Sequence, residues 1–260
     1  MKYTNIIDEF TWSYSRVSQF ESCPYGFFLK YILHTESDRG QFFSEYGTFM
    51  HDILRRYFTG ELRADELPDY YLTHFFTEVT GKASSREVFN RYFTDGLLYL
   101  KSFSFPERKI LGVEEELRFD LDGVPFLGFS DLVSEDDEGI VATDHKSRTL
   151  SPRSARKKPT KSDAELDRYL RQLYLYSKGV KEKFGEFPAN LEFNCFRSGE
   201  LIREPFDLKT YESVLDEEKR TIEQIREEEN WRPDIDWFRC RYLCDVSSEC
   251  DYFQMSGGGK

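Results

Sequence analysis

Two short apolar runs carry the residues best suited to chemistry: Gly-Phe-Ser-Asp-Leu-Val at 128–133 and Ile-Val-Ala-Thr-Asp-His-Lys at 140–146. An acidic stretch, Ser-Glu-Asp-Asp-Glu-Gly, joins them, and apolar runs of this length broken by a turn read as two strands of a hairpin. Asp131 lies on the first strand and Asp144 on the second. Side chains two apart on a strand share a face, so Asp144 and Lys146 project together. Two carboxylates and an ammonium from neighbouring strands suit a divalent-cation site that activates water against a phosphodiester. An isolated Asp-x-Lys on a strand is ordinarily a solvated ion pair. The rest of the chain gives this one weight.

The elements that must position these residues follow from the same periodicities. Residues 13–33 read as two consecutive helical pieces, with Ser15 or Ser18 as cap and Pro24 opening the second piece. That places Cys23 at the bend. Phe49, Ile53, Leu54 and Phe58 form an apolar helical stripe with His51 close beside it. A lone His there is more often a hydrogen-bonded core residue than a ligand. Residues 65–105 read as an aromatic-rich helical insertion broken near Gly81.

Strands are expected over 110–121, 124–133 and 139–147, with Asp122-Gly123 as a hairpin turn. One of Glu114, Glu115 and Glu116 could reach the metal site, although most acidic triplets of this kind are solvated edges. A helix from Asp163, taken as its cap, to Phe184 buries Leu166, Leu170, Leu173 and Val180. Tyr169, Gln172 and Tyr176 lie on an adjoining face. Strands at 190–197 and 200–206 come next, then a charged helix at 207–229. Within 231–250, Cys240, Cys244 and Cys250 fall in a Pro- and Trp-containing region where packing explains them poorly. Zinc or an iron–sulfur cluster would each need a fourth ligand from elsewhere.

The chain has 260 residues, a net charge of −12, 24 Phe and 16 Tyr. That length supports a sizeable core. The charge argues against a protein that coats nucleic acid over its whole surface. Even so, His145 to Lys161 holds seven Lys/Arg (Lys146, Arg148, Arg153, Arg156, Lys157, Lys158, Lys161) and no acid. A basic segment leaving the acidic site reads as a phosphate-contacting loop. No apolar run approaches the roughly 20 residues that span a bilayer. The acidic N-terminus is unlike a signal peptide. A cytoplasmic, soluble protein with no membrane partner is expected, its five cysteines free or ligating metal.

Cys-Pro at 23–24, Gly47-x-x-x-His51, Gly-Phe-Ser-Asp at 128–131, Asp-His-Lys at 144–146, Gln172-x-x-x-Tyr176 and three terminal cysteines occur in that order. Together they resemble the RecB-like branch of the PD-(D/E)XK nucleases. Within it they resemble the group with an iron–sulfur staple, which includes CRISPR-adaptation exonucleases, the AddB nuclease domain and phage-encoded relatives.

The resemblance implies an α/β (α+β) restriction-endonuclease-like core, with a mixed sheet flanked by helices. It divides a single nuclease domain into N-terminal helices (1–60), a helical insertion (61–108), a catalytic core (109–206), a C-terminal helix with cysteines (207–255) and a flexible tail (256–260). It further implies that His51, Asp131, Asp144 and the backbone carbonyl of His145 bind Mg2+ or Mn2+, with Lys146 orienting water or stabilising charge. Gln172 and Tyr176 would contact DNA, alongside Arg148, Arg153, Arg156, Lys157 and Lys158 of the basic loop. Cys23, Cys240, Cys244 and Cys250 would hold a 4Fe-4S cluster, or less favourably zinc, leaving Cys195 out.

The implied activity is metal-dependent exonucleolytic hydrolysis in DNA processing, recombination or repair. The substrate would be DNA that is single-stranded or has free ends, and recombination or CRISPR-adaptation proteins would be partners. The alternative is an inactive DNA-end-binding module of the same fold. Two departures stand out: Cys240 and Cys244 are separated by three residues, where relatives often have two, and Asp144 fills a slot often held by Glu.

Overall fold

The computed structural model describes residues 3–36 and 41–258. A five-stranded sheet in the order β1-β2-β3-β4-β5 forms the centre. Its strands are β1 (Lys109–Leu121), β2 (Val124–Asp136), β3 (Gly139–Lys146), β4 (Asn190–Cys195) and β5 (Glu200–Pro205). Neighbours pair antiparallel except β3 and β4, which run parallel. Asp122 and Gly123 take φ of 54° and 91° at the first hairpin, the left-handed pair that a two-residue turn matched to strand twist demands. β2 runs on to Asp136, so the second turn shortens to Asp137-Glu138.

A parallel pair needs a crossover, and α7 (Lys161–Phe184) supplies it. Its Leu166, Leu170, Leu173 and Val180 bury against Leu117, Phe119, Ala142, Leu191 and Phe193 of the sheet. The cap differs from expectation. Thr160 is the N-cap, and Asp163 reaches back to the Thr160 amide in a reciprocal capping box. α8 (Leu208–Glu227) lies against α7, with α1 (Thr4–Asp8) and α2 (Tyr14–Ser22) packed on it. Ser13, rather than Ser15 or Ser18, caps α2 by accepting the Arg16 amide at 3.3 Å.

Cys23 is extended between α2 and α3 (Pro24–Phe27), and its sulfur accepts the Gly26 amide. Proline fits the first turn of α3 because no intrahelical partner awaits its missing N–H. α4 (Phe42–Phe58), α5 (Leu67–Glu78) and α6 (Arg86–Lys101) form a second apolar cluster of their own. It meets the sheet through Phe196, the Tyr99–Asn194 hydrogen bonds and the Phe58–His145 ring stack. The short α9 (Trp237–Tyr242) and α10 (Asp251–Phe253) end the chain, followed by a π-helical turn at Gln254–Gly258. Of the tail expected over 256–260, residues 259 and 260 lie outside the described residues. The result is the expected α/β (α+β) arrangement, a mixed sheet flanked by helices.

Candidate active site

β2 and β3 pair only from Leu132↔Thr143 to Asp136↔Gly139. Beyond that point they part. Trp12 takes up the vacated edge further along β2, donating to the Pro125 carbonyl and accepting from the Leu127 amide, each at 2.8 Å. Asp131 and Asp144 are the first residues past the fork, and the chemistry gathers there. Asp131 Oδ2 accepts the His145 amide at 2.6 Å, replacing a ladder bond with a side-chain one. Its other oxygen lies 3.4 Å from His51 Nδ1 on α4. Lys146 Nζ lies 2.7 Å from Asp144 Oδ2, donates to Gln172 Oε1 at 3.0 Å and sits 5.7 Å from the Tyr169 ring centre. The Tyr176 hydroxyl is hydrogen-bonded to Gln172.

Gly128 has a role the strand pattern alone does not reveal. A Cβ there would lie 2.5 Å from the Tyr176 ring, so the missing side chain lets that ring close over the fork. Gly47 has open space around it and lines one cavity with His51 and Glu114. It lies one helical turn before His51, so its missing side chain keeps access to the imidazole open. The acidic triplet resolves in the same way. Glu115 pairs with Lys183 and Glu116 with Arg118, while Glu114 faces the His51 cavity. Glu114 holds a φ of 48°, a conformation costly for a non-glycine residue and found where surroundings enforce it.

The groups sense one another. Burial raises the Asp144 carboxyl against the pull of Lys146, and the Asp131 charge adds to the rise. Burial also works to raise Asp131, but the His51 and His145 contacts outweigh it and hold that carboxyl well below the usual range. The His51 imidazole is driven down by burial but further up by Asp131 and Asp144, for a net rise. Burial lowers His145 to about 4, so its ring is neutral. The Lys146 ammonium, penalised by burial, is stabilised more strongly by Asp144.

Asn194 was not legible as part of the site. Its amide donates to the Tyr99 hydroxyl at 2.8 Å and lies 3.2 Å from His145 Nδ1. Asn190, Glu192 and Asn194 alternate on one face of β4 with Leu191, Phe193 and Cys195 on the other, and a buried polar alternation of that kind is the signal that marks such a network.

Among the described residues, no three His, Cys, Asp or Glu side chains are drawn together tightly enough to form a metal-ligand group. The donors at the fork nevertheless fit a hard cation by type. Asp144 Oδ2 is buried and receives no well-directed hydrogen bond despite its ion-pair contact, and carboxylate oxygens are the donors Mg2+ and Mn2+ take. The Lys146 carbonyl accepts from Phe196 on the β4 side. Strand alternation therefore turns the His145 carbonyl toward the fork.

Cys23, Cys240, Cys244 and Cys250 line one cavity of about 190 Å³, although 216 residues lie between Cys23 and Cys240 in sequence. Cys195 is buried in β4, apart from them. Burial raises the thiols of Cys240 and Cys250, and it pushes Cys244 up to about 11. Soft sulfur donors fit iron or zinc by type, but binding must first displace their protons. In the basic loop, Arg148 pairs with Glu165, and Arg153 with Asp167 and Glu204. Arg156, Lys157 and Lys158 are exposed.

A mixed sheet that forks over two carboxylates and a lysine, with helices on both faces, defines a restriction-endonuclease-like nuclease fold. The family model of the PD-(D/E)XK nuclease superfamily matches residues 11–251, and the chain belongs to that superfamily. Membership implies nuclease activity on DNA, generally with divalent ions such as Mg2+. No curated protein matches the chain. No helix among the described residues is long and apolar enough to cross a membrane.

Proposed function

We propose that the protein is a Mg2+- or Mn2+-dependent deoxyribonuclease of the RecB-like branch, acting as an exonuclease in DNA processing, recombination or repair. The observation that carries this reading is the fork between β2 and β3, where Asp131, Asp144, Lys146 and His51 lie within mutual electrostatic reach. Asp131, Asp144, the His145 carbonyl and His51 would hold the cation, which when bound supplies an acidified water and neutralises charge on the phosphate.

The remaining work falls to the protein. The Lys146 ammonium, fixed by Asp144 and Gln172, presents positive charge where the phosphorane develops. Gln172 and Tyr176 bound the approach of the DNA backbone. Arg148, Arg153, Arg156, Lys157 and Lys158 contact phosphates without reading sequence, the last three exposed on the loop. The four cysteines would carry a 4Fe-4S cluster that ties the bend at Cys23 to the C-terminal segment, supported by their shared cavity and their order in the chain. Zinc is the second candidate for that place.

The test is cleavage of end-labelled linear DNA with Mn2+ or Mg2+. Asp131→Asn and Lys146→Ala are each expected to lose at least about a hundredfold in rate while the fold is retained by circular dichroism. Undiminished cleavage by both variants would overturn the assignment.

A further inference from the structure

Past Thr143, β3 pairs with β4 and no longer with β2, and the residue in register with His145 is Asn194. Side chains of β3 and β4 that share the α4–α6 side of the sheet are bonded to each other in successive pairs. Thr143 donates to Glu192 at 3.0 Å, and the Asn194 amide nitrogen lies 3.2 Å from His145 Nδ1. Each pair is held in turn from α6 or the segment that leaves it. Arg108 donates to both Glu192 oxygens, at 2.9 and 2.8 Å. The Tyr99 hydroxyl meets Asn194 twice, donating to Oδ1 at 3.0 Å and accepting from the amide nitrogen at 2.8 Å. Phe58 of α4 stacks on the imidazole, with ring centres 5.8 Å apart and planes 11° from parallel. Asn194 and His145 are both buried.

A carbonyl that is to meet a cation needs its lone pairs free, so the peptide that carries it has to be fixed by its other groups. For His145 these are the amide, which donates to Asp131, and the ring. An amide nitrogen only donates, so Nδ1 of that ring supplies the lone pair and the ring proton sits on Nε2. An imidazole in one tautomer, stacked on Phe58 and bonded to Asn194, has a single orientation. The partners that orient a ligand act on the ion as surely as the ligand does.

We propose that Tyr99 and Asn194 are positioning residues for the fork: through the His145 ring they fix the peptide whose carbonyl turns toward it, and so set the affinity for the cation. Neither touches the ion or the DNA. The helical insertion is then more than a cover, because α6 reaches through β4 to hold the last turn of chemistry on β3. The inference rests on the nuclease reading for what the carbonyl meets. The tautomer of His145 does not depend on that reading.

Two measurements test it. Nitrogen NMR of isotopically labelled histidines, in chelator, reads the tautomer, with the His145 signals assigned by their loss in His145→Phe. A proton on Nε2 is expected in the parent, and a proton on Nδ1 overturns the proposal. Electron paramagnetic resonance of added Mn2+ then reads ion binding. Tyr99→Phe, which removes one oxygen and keeps the ring, and Asn194→Leu are each expected to weaken Mn2+ binding at least about tenfold. Both should lower kcat on end-labelled DNA and leave KM near that of the parent. Parent-like Mn2+ affinity in Tyr99→Phe, the milder change, overturns the proposal. If Asp131→Asn binds Mn2+ and cuts like the parent, the nuclease reading falls and takes this inference with it. If Asp131→Asn loses both while Tyr99→Phe keeps both, the inference falls alone.

Discussion

At the scale of single residues, the site depends as much on a missing side chain as on those present. Gly128→Ala would force a methyl into the face of Tyr176, a rigid ring in a packed setting. Overpacking of this kind costs about 1–3 kcal/mol, so the variant should melt lower in a thermal scan. Cleavage should fall further than the stability loss explains, because the displaced ring is bonded to Gln172. Equal cleavage at a temperature where both proteins are folded would show that Tyr176 is not needed where it stands. Asp131, Asp144 and Lys146 were legible in the sequence because a period of two puts chemistry-bearing residues on a common face. The separate fates of Glu114, Glu115 and Glu116 were not, since three like residues in a row carry no pattern. A backbone turned left-handed at Glu114 decides among them. Asn194 stayed hidden for a related reason: its partner Tyr99 comes from a helix distant in sequence.

Elements meet at a charged junction where α2, α7 and α8 converge. Arg171 bonds Glu21 at 2.9 Å and Glu218 at 3.0 Å, and Glu218 is fully buried with one oxygen unpartnered. Burial, countered in part by Arg171, raises the Glu218 carboxyl to about 7, above the value of about 4.3 for a free side chain. Between those values the folded chain holds a proton that the unfolded chain has lost. The stability contributed by this group is therefore complete below about pH 4.3 and disappears as pH rises through about 7. Measured against Glu218→Gln in urea melts, the parent should lose of order 3 kcal/mol across that window. A difference between the two proteins that does not change with pH would contradict this account. The existence and type of the major helices and strands were readable from apolar spacing, and boundaries less so. α7 begins ahead of Asp163 because that carboxylate serves the third helical position while Thr160 caps, an exchange that sequence spacing allows in either register. The stop of the β2–β3 ladder at Leu132 left no mark in the sequence at all.

Across the whole molecule, the bend after α2 and the segment from Cys240 to Cys250 share one cavity through four cysteines. On the proposed reading, ligation there closes a loop of nearly the full chain, and a cross-link of that span restricts the unfolded state by roughly 3–5 kcal/mol. Protein purified without oxygen should contain iron by elemental analysis. Cys23→Ser should lose it and unfold at lower temperature, whereas Cys195→Ser, in β4, should keep it. Zinc in place of iron, or iron retained by Cys23→Ser, would remove the cluster from the account. The cysteine set was legible as a closed group only through the resemblance; spacing alone marks the last three as donors and gives no sign that the chain path brings residue 23 to residue 240.

The parallel docking of β4 on β3 also bears on the order of assembly. β3 cannot find that neighbour until the whole crossover helix has been made and folded back, and pairings between distant parts of a chain form late. Lys146 meets Gln172 only through that same return, so the two carboxylates can be paired across β2 and β3 before the contact that holds the lysine exists, and that contact belongs to the slower, long-range part of folding.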